Sequence, residues 1–497
     1  MKTASVLPKS EAKDETSLGS SDYAWERVEE STARRKIDFC VLLPLFLGMI
    51  MFQLDRMNVA SALTGGFAED ISIDQDTINL GNQLMFLGII VLEIPSNMVL
   101  QRIGPCKWIP IQVFVFGLTA IMQLFVRNRA GFLAVRMLLG LVESGYIPGS
   151  LYTLSTWYPP HELGKRVAVL FFGMFGGNAI SPLLGAGILR LHGAIGMKGW
   201  QLIFLIEGLV TLSVALLLCF ILPQSPASPK PLLLNGLLRL SDRERHIVKS
   251  RLGLDNGPFS DHGRIKTGIS WTILRDTVLN YRRWLHFIAT PCVFSTWSPL
   301  TTYTPSIMMS LGFTRVQANA LSAIGALLAL PLVFFFAWMS DRTKRRGLPV
   351  IAAILCYLVA LAIARSILPR ASKWTRFGMW TMINAFAVCY HPAHNVWVQL
   401  NCQNQVERSI TISIESAHQP TRYLIFAVCI GVMFANSGMM AGSQIFRGND
   451  APEYLSGLLI MIALVSSGLV LAIFQEMLYL TLNSRLRRSG SKAMYTP

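Results

Sequence analysis

The segment "AWMSDRTKRR", Ala337–Arg346, indicates a duplicated architecture because an earlier segment of the chain repeats its pattern. The earlier copy is "NMVLQRIGPCK", Asn97–Lys107. Each copy has a small residue, three apolar or small residues, a polar residue, an Arg and then further positive charge. Each copy also follows the second apolar span of a series. A parallel duplication of a six-helix unit explains both copies.

The apolar spans around these copies are long enough to cross a bilayer. Stretches of roughly 18 apolar residues or more are typical of transmembrane helices, and six such spans lie on each side of the polar stretch Gln224–Arg283. Only 14% of the 497 residues are charged, whereas a soluble chain has about a quarter. We therefore predict an all-α membrane protein with twelve transmembrane helices in two six-helix bundles. The span centres lie near residues 47, 88, 116, 143, 176, 211, 296, 327, 357, 388, 425 and 468.

Charged loops predict how the chain is oriented in the membrane. "ARRK" precedes the first span and "RLRR" follows the last, whereas the loop between spans one and two has four acidic residues and no Lys or Arg. Because cytosolic loops carry the excess of Lys and Arg, we expect both termini and the middle loop to be cytosolic. The loop between spans nine and ten departs from this trend with Arg365, Arg370, Lys373 and Arg376.

The predicted organisation has five parts. They are a cytosolic tail (1–36), a first bundle (37–222), a cytosolic middle loop (223–283), a second bundle (284–482) and a second cytosolic tail (483–497). Within the middle loop, "SDRERHIVKSRLGLDNG" predicts a short amphipathic surface helix.

The composition disfavours several classes of function. The net charge is +16, but the basic residues lie beside the spans, where membrane orientation explains them, so no nucleic-acid partner is expected. The eight Cys are scattered and form no C-x-x-C pair, which disfavours disulfides and a zinc site. No Walker motif, kinase signature or nucleophile elbow occurs in the sequence. We expect neither an enzyme nor a cofactor or metal, and no obligate protein partner is evident.

The repeated loop resembles that of the major facilitator superfamily. The signature G-x-x-x-D-R-x-G-R-R of that family matches the second copy with Ala337 in place of Gly, and the first copy has Gln101 where Asp is usual. The chain more specifically resembles the fungal allantoate permease family, in the anion:cation symporter branch. The stretches that carry this resemblance are "LDRMNVA", "EIPSNMVLQRIGPCKW", "RMLLGLVESGYIPGSLYTLSTWYPPHELGKR", "GWQLIFLIEG" and "SQIFRGNDAPEYLSG".

This resemblance implies a secondary active transporter. Its expected activity is proton-coupled uptake of a small organic anion, vitamin or amide, of the nicotinate, pantothenate, biotin or allantoate class, across the plasma membrane of a fungal cell. Residues 409–435 do not resemble the family, so the resemblance implies no roles there. An exporter of a fungal secondary metabolite, which the same fold supports, is an alternative. A membrane receptor that transports nothing is a more remote one.

Span one contains two charged residues, Asp55 and Arg56. An ionisable side chain inside a span costs roughly 2.5–3.5 kcal/mol on insertion scales and usually faces the bundle interior. The resemblance to the allantoate permease family implies that an Arg at this position of span one suits an organic anion, whose carboxylate it can bind by a bidentate contact. Asn58 lies close to the same face. Asp55 either keeps the guanidinium aligned or titrates during transport. A closed Asp55–Arg56 charge cluster that merely packs span one is the alternative.

Span four offers a second charged face. Arg136, Gly140 and Glu143 are spaced i, i+4 and i+7, which places them on one side of a helix. A buried carboxylate can bind a proton under physiological conditions, so we expect Arg136 and Glu143, together with Asp55, to couple transport to protons. The alternative is an internal charge pair that holds two helices together.

Four residues of the repeated loops are gating candidates. Asn97 and Arg102 follow span two, and Asp341 and Arg342 follow span eight. We expect both pairs to belong to a charge network at the cytosolic end that stabilises the outward-facing closure, without contacting the substrate.

Spans five, seven and ten supply further substrate-binding candidates. In span seven, Trp297, Thr301, Thr302 and Tyr303 lie around two prolines, and broken helices with hydroxyls and aromatics suit a midplane site. Hydrogen bonding to backbone freed by the prolines is the alternative. Asn178 of span five is a possible donor.

Span ten carries polar residues at spacings close to one helical face, namely Asn384, His391, His394, Asn395 and Asn401. A polar cavity wall is favoured over a metal site, because no H-E-x-x-H motif or carboxylate partner accompanies the histidines. The predicted substrate-binding set is Arg56, Asn58, Asn178, Trp297, Thr301, Tyr303, His391 and Asn395.

Overall fold

The computed structural model describes residues 27–226, 228–233, 240–252, 284–343, 345–401, 420–488 and 495–496. Throughout these ranges the ordered elements are helices, and no strand occurs in them. Each predicted span centre falls within a helix or at a break inside a span. The predicted all-α architecture of twelve transmembrane helices in two six-helix bundles is confirmed. Residues 409–419 of the segment that does not resemble the family lie outside the described ranges.

The first six spans form the first half. Span one joins Arg27–Ile37, the π-helical Asp38–Leu42 and Leu43–Thr64; span two is Gln75–Ile103, and span three is Pro105–Met122. Span four is divided into Arg129–Glu143 and Tyr146–Trp157, span five is Pro160–Ile188, and span six is Gly199–Ile221. Span one packs against spans five and six, and span two packs against span four.

The second half has the same number of spans. Span seven is divided into Trp284–Phe294 and Trp297–Ser310, span eight is Arg315–Thr343, and span nine is Gly347–Ile367. Span ten is divided into Lys373–Phe386 and His391–Leu400, span eleven is Pro420–Gly442, and span twelve is Leu455–Arg488. By length and composition, nine helices of the described ranges are long and apolar enough to cross a membrane.

The break in span four is supported by side chains from its neighbours. Gly145 has a left-handed φ of 76°, and its N–H donates to the Glu93 carboxylate at 3.0 Å. The carbonyl of Ser144 accepts from the Gln112 amide at 2.6 Å. Inside a bilayer no water is at hand for an interrupted helix, so protein groups must satisfy the freed backbone. Glu93 therefore holds the end of the helix that carries Glu143.

Hydrogen bonds join the two halves at the end that carries the loop between spans one and two, here called the loop end. Tyr303 donates to Asn79 at 2.5 Å, and Asn82 donates to Thr302 at 3.1 Å. Asn319 donates to the Thr64 hydroxyl at 2.7 Å on the other side of the same end. At the opposite end, here called the terminal end, no hydrogen bond connects the described residues of the two halves. The structure is thus closed at the loop end.

The predicted surface helix is present at the terminal end, as Asp242–Arg251. Its N-terminus has a capping box formed by Ser241 and Glu244. The helix is held to the first half by ion pairs, with Arg251 2.5 Å from Glu162 and Lys36 2.7 Å from Glu244. The middle loop is therefore anchored where it leaves the first bundle.

Spans two and four touch backbone to backbone at Gly140. A Cβ on Gly140 would lie 1.9 Å from the carbonyl oxygen of Met85, which only a shift of a whole helix relieves. We expect Gly140→Ala to destabilise the protein by about 1–3 kcal/mol, the usual cost of overpacking, and to lower the melting temperature of detergent-solubilised protein. Gly176→Ala, in span five, is the matched control, because its Cβ would meet nothing within 4 Å. Equal melting temperatures for the two variants would contradict the close contact.

Candidate functional site

The centre of the site is an ion pair between spans one and four. Arg56 Nε lies 2.8 Å from Glu143 Oε2, and the two side chains are only 12% and 0% exposed. The guanidinium carbon also lies 4.0 Å from the centroid of the Phe52 ring. Charge-assisted hydrogen bonds of this kind are among the strong ones. The structure therefore brings together a predicted substrate-binding residue and a predicted proton-coupling residue.

Asp55 points away from this pair, toward span six. It is fully buried and accepts a hydrogen bond from Thr211 Oγ1 at 3.0 Å. Successive residues of an α-helix are about 100° apart around its axis, so Asp55 and Arg56 face different neighbours. The alternative of a closed Asp55–Arg56 cluster is not observed, and Asp55 does not align the guanidinium, because its partner is Thr211 and that of Arg56 is Glu143.

Arg136 lies on the same face as Glu143 but has a different partner. Its Nη2 donates to the Asn82 amide oxygen at 2.6 Å, and its Nε and Nη1 have no hydrogen-bond partner among the described residues. The alternative interpretation, an internal charge pair that holds two helices together, fits the observed ion pair between Arg56 of span one and Glu143 of span four. The structure therefore leaves both the proton-coupling role and this alternative open.

Two predicted polar residues of the first half have unsatisfied amide atoms. Asn58 is fully buried, and neither its oxygen nor its nitrogen has a partner within the described ranges. The buried amide oxygen of Asn178 is likewise unpaired there. Buried polar atoms are normally hydrogen-bonded, so both amides are available to a polar substrate.

The second half contributes an aromatic wall. The Trp297 ring lies 5.2 Å from Phe294 and 6.4 Å from Phe175 of the first half. Phe294 in turn lies 4.5 Å from the His391 ring, and His391 Nε2 is 3.1 Å from the Asn395 amide nitrogen. Trp297 and His391 therefore both pack on Phe294, with Asn395 beside His391, and their role in binding the substrate stays a prediction.

The remaining candidates of span seven lie elsewhere. Thr301 donates to the carbonyl of Ser298, one turn back in its own helix. This carbonyl is not one that Pro299 or Pro305 deprives of its N–H partner, so the bond is ordinary hydroxyl-to-backbone bonding within a helix. Tyr303 and Thr302 bond to Asn79 and Asn82, respectively, in the loop-end closure. Tyr303 thus belongs to the loop-end closure and not to the aromatic wall, and its role in binding the substrate stays a prediction.

The polar residues of span ten do not share one helical face. The helix ends at Phe386 and begins again at His391, so the two parts point their side chains independently. Asn384 bonds to Thr304, and His394 lies 3.1 Å from His286. The described part of the chain contains no group of three side chains that could hold a metal ion.

The gating candidates make local contacts. The Asn97 amide donates to the Glu93 carbonyl within span two, and Arg102 is exposed at the end of that span. Asp341 pairs with Arg346, within the same loop. Arg342 lies 5.9 Å from the Trp338 ring.

No contact joins these gating pairs to the opposite half among the described residues. In a structure closed at the loop end, the terminal-end network that we expect is thus not assembled, and the gating role stays a prediction.

The sequence reasoning overlooked Glu207 of span six. This glutamate is buried, one helical turn before Thr211. Its sequence signal was plain, since it is the single ionisable residue in the first eighteen positions of an apolar span, and such residues usually face the bundle interior.

Comparison with known proteins agrees with this architecture. The family model of the Major Facilitator Superfamily matches residues 45–412. The chain is 26% identical to an uncharacterized transporter of Schizosaccharomyces pombe, over 88% of this chain and 80% of that protein. It is 27% identical to the MFS-type transporter cnsO of Penicillium expansum, over 85% of this chain and 78% of that one. A putative tartrate transporter of Agrobacterium vitis is 26% identical over 73% of this chain and 79% of its own.

Solved structures share the fold at low sequence identity. A D-xylose-proton symporter has a TM-score of 0.62 at 14% identity, over 88% of this chain and 97% of that one. A bacterial homolog to the human lysosomal transporter Spinster has a TM-score of 0.57 at 17% identity, over 91% of this chain and 97% of that one. At these identities the similarity concerns the fold alone.

Proposed function

Because this chain belongs to the major facilitator superfamily and is a membrane transporter, we propose that it carries a small organic anion together with protons. The single observation that carries this proposal is the buried ion pair between Arg56 and Glu143. A guanidinium at the centre of a membrane protein is a binding group for a carboxylate. Its present partner is a carboxylate that a proton can neutralise.

The pair supplies a mechanism for coupling. When Glu143 takes up a proton at its carboxylate, its attraction for Arg56 falls, and the guanidinium becomes free to bind the carboxylate of the substrate. Loss of that proton restores the Arg56–Glu143 pair and expels the anion. Since buried charges are costly unless they are paired, substrate and proton enter and leave the site together.

The charge of the site favours an anion once a proton is bound. The guanidinium groups of Arg56 and Arg136 are balanced by two buried carboxylates: Glu143, which pairs with Arg56, and Glu93, which accepts from the Gly145 N–H close by in span four. Protonation of Glu143 leaves these four side chains with a net positive charge. A relative named putative tartrate transporter is consistent with an acidic substrate. The aromatic wall around Trp297 and His391 offers an apolar surface for the rest of the molecule.

Reconstituted transport tests this function. Purified protein in liposomes would be offered radiolabelled nicotinate, pantothenate, biotin, allantoate and small dicarboxylates, with and without an imposed pH gradient. We expect at least one anion to accumulate when the side from which it enters is acidic, and a protonophore to abolish the accumulation. Transport that ignores the gradient would refute proton coupling, and efflux driven by an inward proton gradient would identify an exporter.

We also propose that the loop end faces outward and the termini face the cytosol, in the plasma membrane. The charges of the loops support this orientation, and two basic residues of the departing loop have partners at the loop end: Arg376 is 2.9 Å from Glu453, and Lys373 donates to the Gly312 carbonyl.

Cysteine labelling measures the orientation. In a variant without the eight native cysteines, Glu69→Cys should react with an impermeant maleimide in intact cells. Arg243→Cys, on the surface helix of the middle loop, should react only after the cells are permeabilised. The reverse pattern would show the opposite orientation.

A further inference from the structure

Two buried carboxylates, one on span one and one on span six, lie outside the Arg56–Glu143 pair where these two spans pack together. Asp55 is 0% and Glu207 is 3% exposed. In the described ranges, neither oxygen of the Glu207 carboxylate has a hydrogen-bond partner. On Asp55, Oδ1 has none, and Oδ2 accepts from Thr211. Glu207 lies one helical turn before Thr211 on the same side of span six, and Thr211 bonds to Asp55, so both carboxylates belong to the contact between spans one and six. An ionised carboxylate left in this state inside a membrane is very costly.

The hydroxyl of Thr211 is the one described donor at this place. Its Oγ1 lies 3.0 Å from Asp55 Oδ2 and 3.0 Å from the Glu207 backbone carbonyl. A hydroxyl has a single proton to donate, so Thr211 cannot donate to Asp55 and to this carbonyl at once, and neither oxygen of the Glu207 carboxylate accepts from it. The surroundings are apolar, with Phe52 and Phe116 packed edge to face at 6.5 Å beside the start of this cluster.

Charged groups from the neighbouring helices do not neutralise the two carboxylates. Span four presents Glu143, whose negative charge adds to that of Asp55, and Glu143 already binds Arg56. Span three has no titratable residue after Lys107, and span five has none after Arg166. Two carboxylates that share an apolar site cannot both be ionised.

We propose that Asp55 and Glu207 form a proton-binding site that is separate from the Arg56–Glu143 substrate site. In the protonated pair, one carboxyl is neutral and the other keeps its charge. Release breaks the O–H bond and passes the proton to water when rocking of the halves brings water to spans one and six. The contribution of the Asp55–Glu207 site to coupling rests on the proposed function. The site adds one proton per anion to the proton carried by Glu143.

Infrared difference spectroscopy detects the protonated pair without any transport. A protonated carboxyl has a C=O stretching band apart from the bands of ionised carboxylates. We expect Asp55→Asn and Glu207→Gln each to change this band in purified protein, and the double variant to remove the contribution of the pair. Thr211→Val, which deletes the hydroxyl and no carboxyl, should shift the band and retain its intensity. An unchanged band in the double variant would overturn the proposal.

The proton-to-anion ratio measures the role of the pair in transport. In proteoliposomes, reversal-potential measurements should show that Asp55→Asn and Glu207→Gln each lower the ratio by one proton, while exchange of labelled for unlabelled anion continues. Glu476→Gln, a buried carboxyl of span twelve, should leave the ratio unchanged. An unaltered ratio in both pair variants would overturn a coupling role. If the wild type moves no anion at all, the proposed function fails, and the infrared result still decides whether the pair binds a proton.

Discussion

Arg56→Lys is expected to fold, to reach the membrane and to lose most transport of the anionic substrate. The guanidinium presents a planar set of donors that binds a carboxylate through two parallel hydrogen bonds, whereas an ammonium offers a point charge. The guanidinium of Arg56 is also held in place, with its central carbon 4.0 Å from the centroid of the Phe52 ring. Loss of one charge-assisted hydrogen bond costs about 1.5–3 kcal/mol, which corresponds to a fall in transport of about tenfold or more.

Initial uptake rates, normalised to protein at the membrane, measure this effect. Arg129→Lys makes the same chemical change at an exposed position at the start of span four and should transport normally. Normal transport by Arg56→Lys would contradict the role of the guanidinium in binding an anion. So would the finding that the substrate is a cation.

Glu143→Gln is expected to bind the anion tightly at every pH. In the wild type, the anion competes with the Glu143 carboxylate for Arg56, so a proton must bind before the anion can. Binding that takes up one proton weakens by about tenfold for each pH unit over which Glu143 is ionised. Gln cannot ionise, so its amide releases Arg56 at any pH, and the affinity should lose this dependence.

The pH dependence of the affinity is measured by equilibrium binding of labelled substrate to purified protein from acidic to alkaline pH. Affinity should fall with rising pH in the wild type and stay level in Glu143→Gln. Glu69→Gln, in the exposed loop between spans one and two, should keep the slope of the wild type. A wild-type slope in Glu143→Gln would show that another group controls access to Arg56.

Much of the fold could be predicted because a membrane constrains each segment locally. A span must be apolar over a fixed length and must satisfy its own backbone, so hydropathy alone placed the twelve spans. The duplicated loop at Asn97 and Ala337 divided them into two bundles of six. The cost of charge in lipid also identified Arg56, Arg136 and Glu143 as residues that face the interior.

The partners of these charges could not be predicted, because they depend on how neighbouring helices are rotated and shifted. The position of span four against span two is set by the contact of Gly140 with the Met85 backbone, and this contact has no signature in a single sequence. It decides that Glu143 meets Arg56 and that Arg136 reaches Asn82.

The broken helices show the same division between sequence and structure. Prolines in span seven correctly predicted an interrupted helix, but the break in span ten before His391 invalidated a helical face drawn through it. Spacing defines a face only while a helix is continuous.

The number of spans, their order and the polar side chains that must avoid lipid follow from the amino-acid sequence alone, because each is a property of one segment in contact with a bilayer. The turn of Asp55 from its neighbour Arg56 toward Thr211 of span six follows from helix packing, because successive residues on a helix face different helices. The identity of those helices is fixed by packing across the whole bundle.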